Sequence, residues 1–161
     1  MKMKKILTAV LLAFSAVLLA ACGSGKNADG VPNVLKDKYT GYSKVSGYEN
    51  PFIAGGDELT FDKKENSITN SQGKKTYFTV IPDNELPAQV TGVLSQHASE
   101  LKGTENFTII ISRHDKHPTR EQAEGSYQIA LSDGGNTIRV LELRRGYSVE
   151  NDYYDFTGQA S

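Results

Sequence analysis

The sequence predicts an α+β domain in which a small antiparallel sheet of about five to six strands carries one covering helix. Three observations lead to this fold class. Segments 75–81 and 106–112 have the alternation or β-branched content of strands, a helical stripe of apolar residues lies between them, and a glycine-containing turn at 132–136 joins two further strand-like segments. An all-β, barrel-like domain with a single attached helix is the alternative.

The first half of the domain contains the weaker strand predictions. One short strand is possible near residues 38–42, before an irregular stretch rich in glycine. Residues 58–62 alternate between apolar and polar side chains and predict a strand, with 63–66 as its turn and 67–70 as a possible return strand. Residues 75–81 show the clearest two-residue alternation and predict the best strand of this half.

One helix is predicted between residues 83 and 103. Asp83 or Asn84 can cap its start, Pro87 stands where a first-turn proline is tolerated, and Gly103 can end it. A helix with one apolar stripe needs a surface to cover, and the sheet supplies it. The stripe is formed by side chains three or four residues apart, namely Leu86, Val90, Val93, Leu94, His97, Ala98 and Leu101.

The strongest strand of the chain follows the helix. Residues 106–112 are rich in β-branched apolar side chains, which favours a central position in the sheet. Residues 126–131 and 137–143 flank the turn at 132–136 and predict a hairpin. The tail from residue 146 mixes tyrosines with acidic side chains, and no strand is predicted in it.

The first 22 residues have the pattern of an export signal. Lys2, Lys4 and Lys5 form a positive start, and residues 6–18 are apolar or small. This run is too short to span a bilayer comfortably, since a spanning helix needs about 20 residues. It ends in a motif that resembles the lipobox of bacterial lipoproteins, Leu19-Ala20-Ala21-Cys22.

The resemblance implies that the Cys22 thiol is acylated and that the signal peptide is cut just before it. A buried free cysteine is the alternative, but it does not suit a position between an export signal and a Gly/Ser-rich stretch. Two acyl chains on one thioether hold a protein at a membrane more firmly than one chain. We therefore expect a signal peptide at 1–21, a lipidated cysteine and flexible tether at 22–35, and a single domain at 36–161 on the extracytoplasmic face of the cell membrane.

The charge balance limits the classes of partner, and the cysteine content limits the covalent cross-links within the fold. Three of the 18 Lys and Arg residues lie in the leader, which has no acidic residue, so the mature chain carries 15 basic against 19 acidic residues. This mildly acidic mixture gives no electrostatic reason to expect nucleic acid as a partner. Because Cys22 is the only cysteine, the fold forms no internal disulfide. No cofactor is predicted.

The segment 113–117 is the only cluster of metal-ligand side-chain types. His114, Asp115 and His117 could offer two nitrogens and one oxygen to a metal ion, and His97 could add a third imidazole. The basic residues beside the histidines would repel a cation, so a solvated, charged loop is the competing interpretation. No G-x-S-x-G motif with a following histidine occurs, and the domain is not predicted to be an enzyme.

Six of the eight tyrosines fall into two clusters that could form a binding surface. Tyrosine is favoured at such surfaces because it buries a ring while keeping a polar tip. The competing and stronger interpretation is that these rings fill the ends of a small core, in a chain without tryptophan. The candidates are Tyr39, Tyr42, Tyr48, Tyr147, Tyr153 and Tyr154.

These observations favour a non-enzymatic, lipid-anchored module that binds a peptide, a protein or an envelope component. Exported immunity lipoproteins that sequester a membrane-active peptide are similar in size and anchor, without a shared motif. The alternative is a small envelope metal-binding protein or enzyme that uses the loop containing His114 and His117.

Overall fold

The computed structural model describes residues 25–144 and 153–161, which form a closed antiparallel barrel of eight strands. Each strand pairs with the next one along the chain, and the last strand returns to pair with the first. The strands are β1 Lys38–Ser43, β2 Gly55–Asp62, β3 Ser67–Thr69, β4 Lys75–Ile81, β5 Glu105–Ser112, β6 Gly125–Ser132, β7 Thr137–Glu142 and β8 Asp155–Ala160.

The predicted α+β sheet of five to six strands is therefore wrong, and the barrel-like alternative matches the structure. The strand without a sequence signal is β8, which contains one large apolar side chain, Phe156. Its partners are supplied by tertiary structure, since Gly158 lies opposite Gly41 of β1 on one side and Ile138 of β7 on the other. Backbone pairing on both sides stabilises a segment that its own residue preferences do not mark as a strand.

The helical part of the chain is shorter than predicted. Pro87 precedes α1, Ala88–Gln96, and a single further turn, α2, spans Ala98–Leu101. The predicted continuous helix is interrupted at His97, whose φ of −100° and ψ of 7° are not helical. Three short 3₁₀ turns complete the described elements, at Asp83–Glu85, Arg120–Gln122 and Asp133–Gly135.

Helix α1 lies on the outside of the barrel and not on the face of an open sheet. Val90 and Val93 are buried against Leu143, which follows β7, and Leu86 and Leu94 border the same small cluster. This confirms the apolar stripe at its centre. None of the helices within the described ranges combines the length and the hydropathy that a membrane crossing requires.

Alternate side chains of the strands fill the barrel interior. An eight-stranded barrel has an interior just wide enough for packed side chains or for one small ligand. The surfaces open to a partner are therefore its outer wall and its two ends. The buried interior side chains include Tyr39, Leu59, Phe61, Ile68, Phe78, Phe107, Ile109, Ile111, Tyr127, Ile129, Leu131, Ile138, Val140 and Phe156.

The segment before β1 closes one end of the barrel, which we call the plug end. Val31 and Leu35 are buried in the core, and the Tyr39 hydroxyl donates to the carbonyl of Gly135 at 2.7 Å. The flexible tether was expected to extend to residue 35, but buried side chains at 31 and 35 make this segment part of the packed structure. The folded chain therefore begins before residue 36.

The loop between β1 and β2 closes the opposite end, which we call the tyrosine end. Phe52 reaches inward from this loop, and its ring centroid lies 4.2 Å from that of Tyr127 and 5.0 Å from that of Tyr154. Tyr154 also stacks on Phe156 at 6.3 Å. These rings form an aromatic layer beneath the surface of this end.

Candidate functional site

The structure divides the tyrosines that were candidates for binding. Tyr39 and Tyr154 are buried, at the plug end and the tyrosine end respectively, so both act in packing as the competing interpretation expected. Tyr42 and Tyr48 are exposed at 59% and 74%. Tyr153 is partly buried. Tyr147 and the candidate lipidation site Cys22 lie outside the described residues.

Two of the accessible tyrosines share one cation. The guanidinium carbon of Arg144, which follows β7, lies 4.7 Å from the ring centroid of Tyr48 and 5.9 Å from that of Tyr153. A cation over an aromatic face is attracted by the negative ring surface, with about 0.5–1 kcal/mol at an exposed site. The tyrosine end therefore already binds one cationic group, the guanidinium of the chain's own Arg144.

The rings of Tyr48 and Tyr153 form what we call the aromatic lip. Two buried carboxylates lie beside it. Glu49, from the loop between β1 and β2, is 8% exposed, and Glu142, the last residue of β7, is 5% exposed. The Tyr127 hydroxyl donates to Glu49 Oε2 at 2.7 Å, and Tyr127 lies directly opposite Glu142 in the β6–β7 pairing. The phenol therefore connects a loop carboxylate to the barrel wall.

A glycine makes room for the Glu49 carboxylate. A Cβ atom placed on Gly125, the first residue of β6, would lie 2.7 Å from Glu49 Oε2 and 2.9 Å from Glu49 Cδ. Such separations are shorter than real Cβ contacts allow. The absence of a side chain at 125 is therefore what allows the carboxylate to lie against the start of β6.

Burial dominates the electrostatics of the carboxylate. It raises the pKa of Glu49; the hydrogen bond from Tyr127 opposes the rise, and the negative charge of Glu142 adds to it. The charge of Arg144 acts in the lowering direction. Burial, followed by the charges of Glu49 and Glu142, also raises the pKa of the Tyr127 phenol far above its usual range. Tyr127 therefore remains a hydrogen-bond donor, and a cation near the two carboxylates would relieve their repulsion.

A pocket of about 390 Å³ opens between this acidic cluster and the start of α1. Its volume is within the range of small-molecule sites, roughly 300–1,000 Å³. The polar wall carries both carboxylates and Arg144, and the apolar wall is formed by Pro87, Val90, Ile110 and Leu143. Buried carboxylates, the aromatic ring of Tyr48 and an apolar side are the features that suit an organic cation, such as a guanidinium or ammonium group on a carbon chain.

In the loop that contains His114 and His117, side chains contact the carboxylate of Glu124 and do not converge on a common point as metal ligands would. The Arg113 guanidinium contacts Glu124 through Nε at 3.0 Å, and His114 Nε2 lies 3.8 Å from the other Glu124 oxygen. Asp115 accepts hydrogen bonds from Ser112 and Gln122, each at 3.0 Å.

His114, Asp115 and His117 therefore do not assemble into a metal site. In the described part of the chain, no three His, Cys, Asp or Glu side chains come together as metal ligands. His97 is buried at the start of α2, where its Nδ1 lies 2.7 Å from Glu100, and Glu100 in turn accepts from Arg139 at 2.8 Å. This imidazole has the structural role of a boundary residue.

Sequence reasoning missed the two carboxylates. Glu142 had a signal, because Ile138, Val140 and Glu142 lie on the same side of β7 and two of the three are plainly apolar. Glu49 lies in an irregular loop with no periodicity, so its burial follows only from the way that loop folds over the barrel end.

Comparison with known proteins assigns no family to this architecture. No protein-family model matches the chain, and neither a curated protein nor a solved structure matches it with significance.

Proposed function

We propose that this protein is a non-enzymatic binding module, held at the extracytoplasmic face of the cell membrane by lipid on Cys22, that takes a cationic group of a peptide, protein or envelope component at its tyrosine end. The anchor rests on the lipobox-like motif at 19–22. The ligand class rests on one observation, the pocket in which two buried carboxylates face an aromatic lip that already holds a guanidinium.

Arg144 lines this pocket and supplies a cation from the chain itself. Its guanidinium lies over Tyr48, and its charge opposes the rise in the pKa of Glu49, so it performs part of what an external cation would do. Its contact with an exposed ring is worth only about 0.5–1 kcal/mol. A ligand cation with an attached apolar portion gains the same contacts and covers Val90 and Leu143 in addition, and so displaces the Arg144 side chain.

The anchor is tested by fractionation. Replacing Cys22→Ala removes the acylated thiol, and the processed chain should move from the membrane fraction to the soluble fraction while the barrel stays folded. Retention of the Cys22→Ala chain in the membrane fraction, resistant to carbonate washing, would show that lipid on this residue is not the anchor.

The pocket is tested with a defined cation. We expect L-arginine amide, titrated into the mature chain carrying Cys22→Ser, to shift the amide resonances of Glu49, Gly125 and Glu142. L-citrulline amide has nearly the same shape and keeps the α-ammonium group but replaces the charged guanidinium with a neutral urea, and is the matched control. Equal binding of the two compounds would refute a site that selects the guanidinium charge.

Three variants test whether Arg144 competes with the ligand cation and whether Glu49 binds that cation. Arg144→Ala frees the Tyr48 ring of its cation and should tighten arginine amide binding about two- to fivefold, the equivalent of one exposed cation–π contact. Glu49→Gln keeps an acceptor for Tyr127 but removes the charge, and should weaken binding about tenfold or more. Tyr42→Ala, an exposed tyrosine outside the pocket lining, should leave binding unchanged. If Arg144→Ala weakened binding, Arg144 would belong to a receptor for anions and the proposal would be wrong.

A further inference from the structure

A second and larger groove lies beside the tyrosine-end pocket. Its volume is about 830 Å³, and its lining includes Thr79, Val80 and Ile81 at the end of β4. Ile110 and Arg120 line both the groove and the tyrosine-end pocket, so the two cavities are neighbours on the outer wall. The surface open to a partner therefore continues from the tyrosine end toward the plug end.

Along this groove, one edge of β4 has no neighbouring strand in the part of the chain that the structure describes. β3 is only three residues long and pairs with β4 no further than Tyr77. Beyond β3, the Phe78 N–H still donates to the carbonyl of Asn66 at 2.8 Å. In an antiparallel ladder every second residue directs its N–H and C=O to the same side, so those of Val80 point the same way as those of Phe78.

No described residue pairs with the Val80 main chain on that side. The backbone hydrogen bonds outside the ladders include Phe78 to Asn66, but none to the N–H or C=O of Val80. Unpaired strand groups of this kind are a template for an added strand. Among residues 25–144 and 153–161, β4 therefore continues past its neighbour with two main-chain groups that have no partner.

The lining of the groove also contains two polar side chains with an atom that no described residue hydrogen-bonds. Asn66 is 3% exposed, and its amide nitrogen donates to Asp29 at 3.0 Å, but its Oδ1 has no partner among the described residues. Within the same ranges the Thr79 hydroxyl also has none. Both residues line the groove. Buried polar atoms without partners are uncommon, and here two of them lie beside the strand edge that no described residue pairs with.

We infer that the partner is a polypeptide segment that binds in extended form along this groove, pairs through its main chain with Val80, and places a lysine or arginine side chain in the tyrosine-end pocket. The inference rests on the proposed function, since the acidic pocket supplies the charge that selects the segment. Main-chain pairing gives affinity and one side-chain pocket gives specificity, as in other cases of strand addition. Arg120 lines both cavities and forms an ion pair with Glu85 at 3.5 Å, so a charged pair lies at the junction of the groove and the pocket.

The free edge is tested first in the protein alone. Native-state hydrogen exchange of the mature chain with Cys22→Ser should show rapid exchange of the Val80 amide. The amides of Phe78, bonded to Asn66, and of Thr79, opposite Ile110 in the ladder, should be protected. If the Val80 amide were as protected as these neighbours, the edge would be closed and the inference overturned.

The ligand class is tested with a randomised heptapeptide library. We expect selected peptides to contain lysine or arginine, to slow exchange of the Val80 amide at least tenfold, and to bind at least tenfold more weakly when alternate peptide nitrogens are methylated. N-methylation removes main-chain donors and keeps the side chains. Selected peptides that bind equally well when methylated, or that leave Val80 exchange unchanged, would overturn strand addition.

Arginine amide distinguishes failure of this inference from failure of the proposed function. If arginine amide binds at the tyrosine end and no selected peptide protects Val80, the cation site stands and the extended-peptide inference falls. If arginine amide does not bind and selected peptides lack basic residues, the proposed function falls, and with it the ligand inferred here.

Discussion

Gly135→Ala measures how firmly the plug end is held. Gly135 has φ of +84°, and a Cβ atom there would overlap the carbonyl oxygen of Val34 and lie 2.8 Å from its carbonyl carbon, against 3.4 Å or more for ordinary contact. The adjacent Gly134 has φ of +62° with no atom near its Cβ position. The two glycines therefore share the backbone penalty and differ in the clash.

The left-handed conformation costs an alanine about 1–2 kcal/mol at either position. At Gly135 the Val34 backbone must also move by more than about 0.6 Å, which disturbs the buried neighbours Val31 and Leu35. Overpacking of this kind costs a further 1–3 kcal/mol, roughly. We expect Gly135→Ala to lower the free energy of unfolding by about 2–5 kcal/mol and Gly134→Ala by about 1–2 kcal/mol.

Urea unfolding of both variants, followed by tyrosine fluorescence and far-ultraviolet circular dichroism, provides the comparison. The informative quantity is the difference between the two variants, because it isolates the packing of the segment before β1. If both lost the same stability, the segment at 31–35 would not be packed on the barrel in solution, and the original expectation of a flexible tether to residue 35 would be restored.

Tyr39→Phe should cost about 1–3 kcal/mol in urea unfolding, because its hydroxyl has two hydrogen bonds at the plug end, at 2.7 and 2.9 Å. The exposed Tyr42→Phe should change stability by less than about 0.5 kcal/mol, and equal losses would refute the division of the tyrosines. Gly125→Ala should push the Glu49 carboxylate from its place and weaken arginine amide binding, whereas Gly92→Ala, in open space on α1, should leave binding unchanged and raise stability by up to about 1 kcal/mol. Unaltered binding in Gly125→Ala would mean that the carboxylate position does not matter. The pKa of Glu49 is raised above its ordinary value of 4.5, so the folded protein favours the protonated carboxyl. The stability that this preference provides is fully present below pH 4.5 and is lost as the pH rises through the folded-state pKa. Unfolding free energies measured from pH 4 to pH 8 should therefore move in favour of Glu49→Gln with rising pH, by at most about 1.4 kcal/mol per pH unit, and a movement in the opposite direction would contradict the burial of this group.

The sequence determined the local elements. Alternation at Lys75–Ile81, β-branched residues in β5 and the glycine-containing turn after β6 each predicted a strand or hairpin that the structure contains. The apolar stripe around Val90 and Val93 predicted the buried face of α1. These signals depend on neighbours within a few residues, so they can be recognised without knowledge of the fold. The lipobox-like motif at 19–22 has the same local character, and its lipidation stays a prediction.

Only the tertiary structure decided that the sheet closes. β1 and β8 are about 115 residues apart in the chain, and their pairing depends on the register of all the intervening strands and not on any local preference. Closure then determined which tyrosines are buried, and it placed Glu49 of a loop beside Tyr127 of β6 and Glu142 of β7. A charged residue in a loop is usually exposed, and here it is buried because the loop folds over a barrel end whose other walls come from distant strands. The candidate site is therefore a property of the closed barrel, whereas the elements that build it are properties of the sequence.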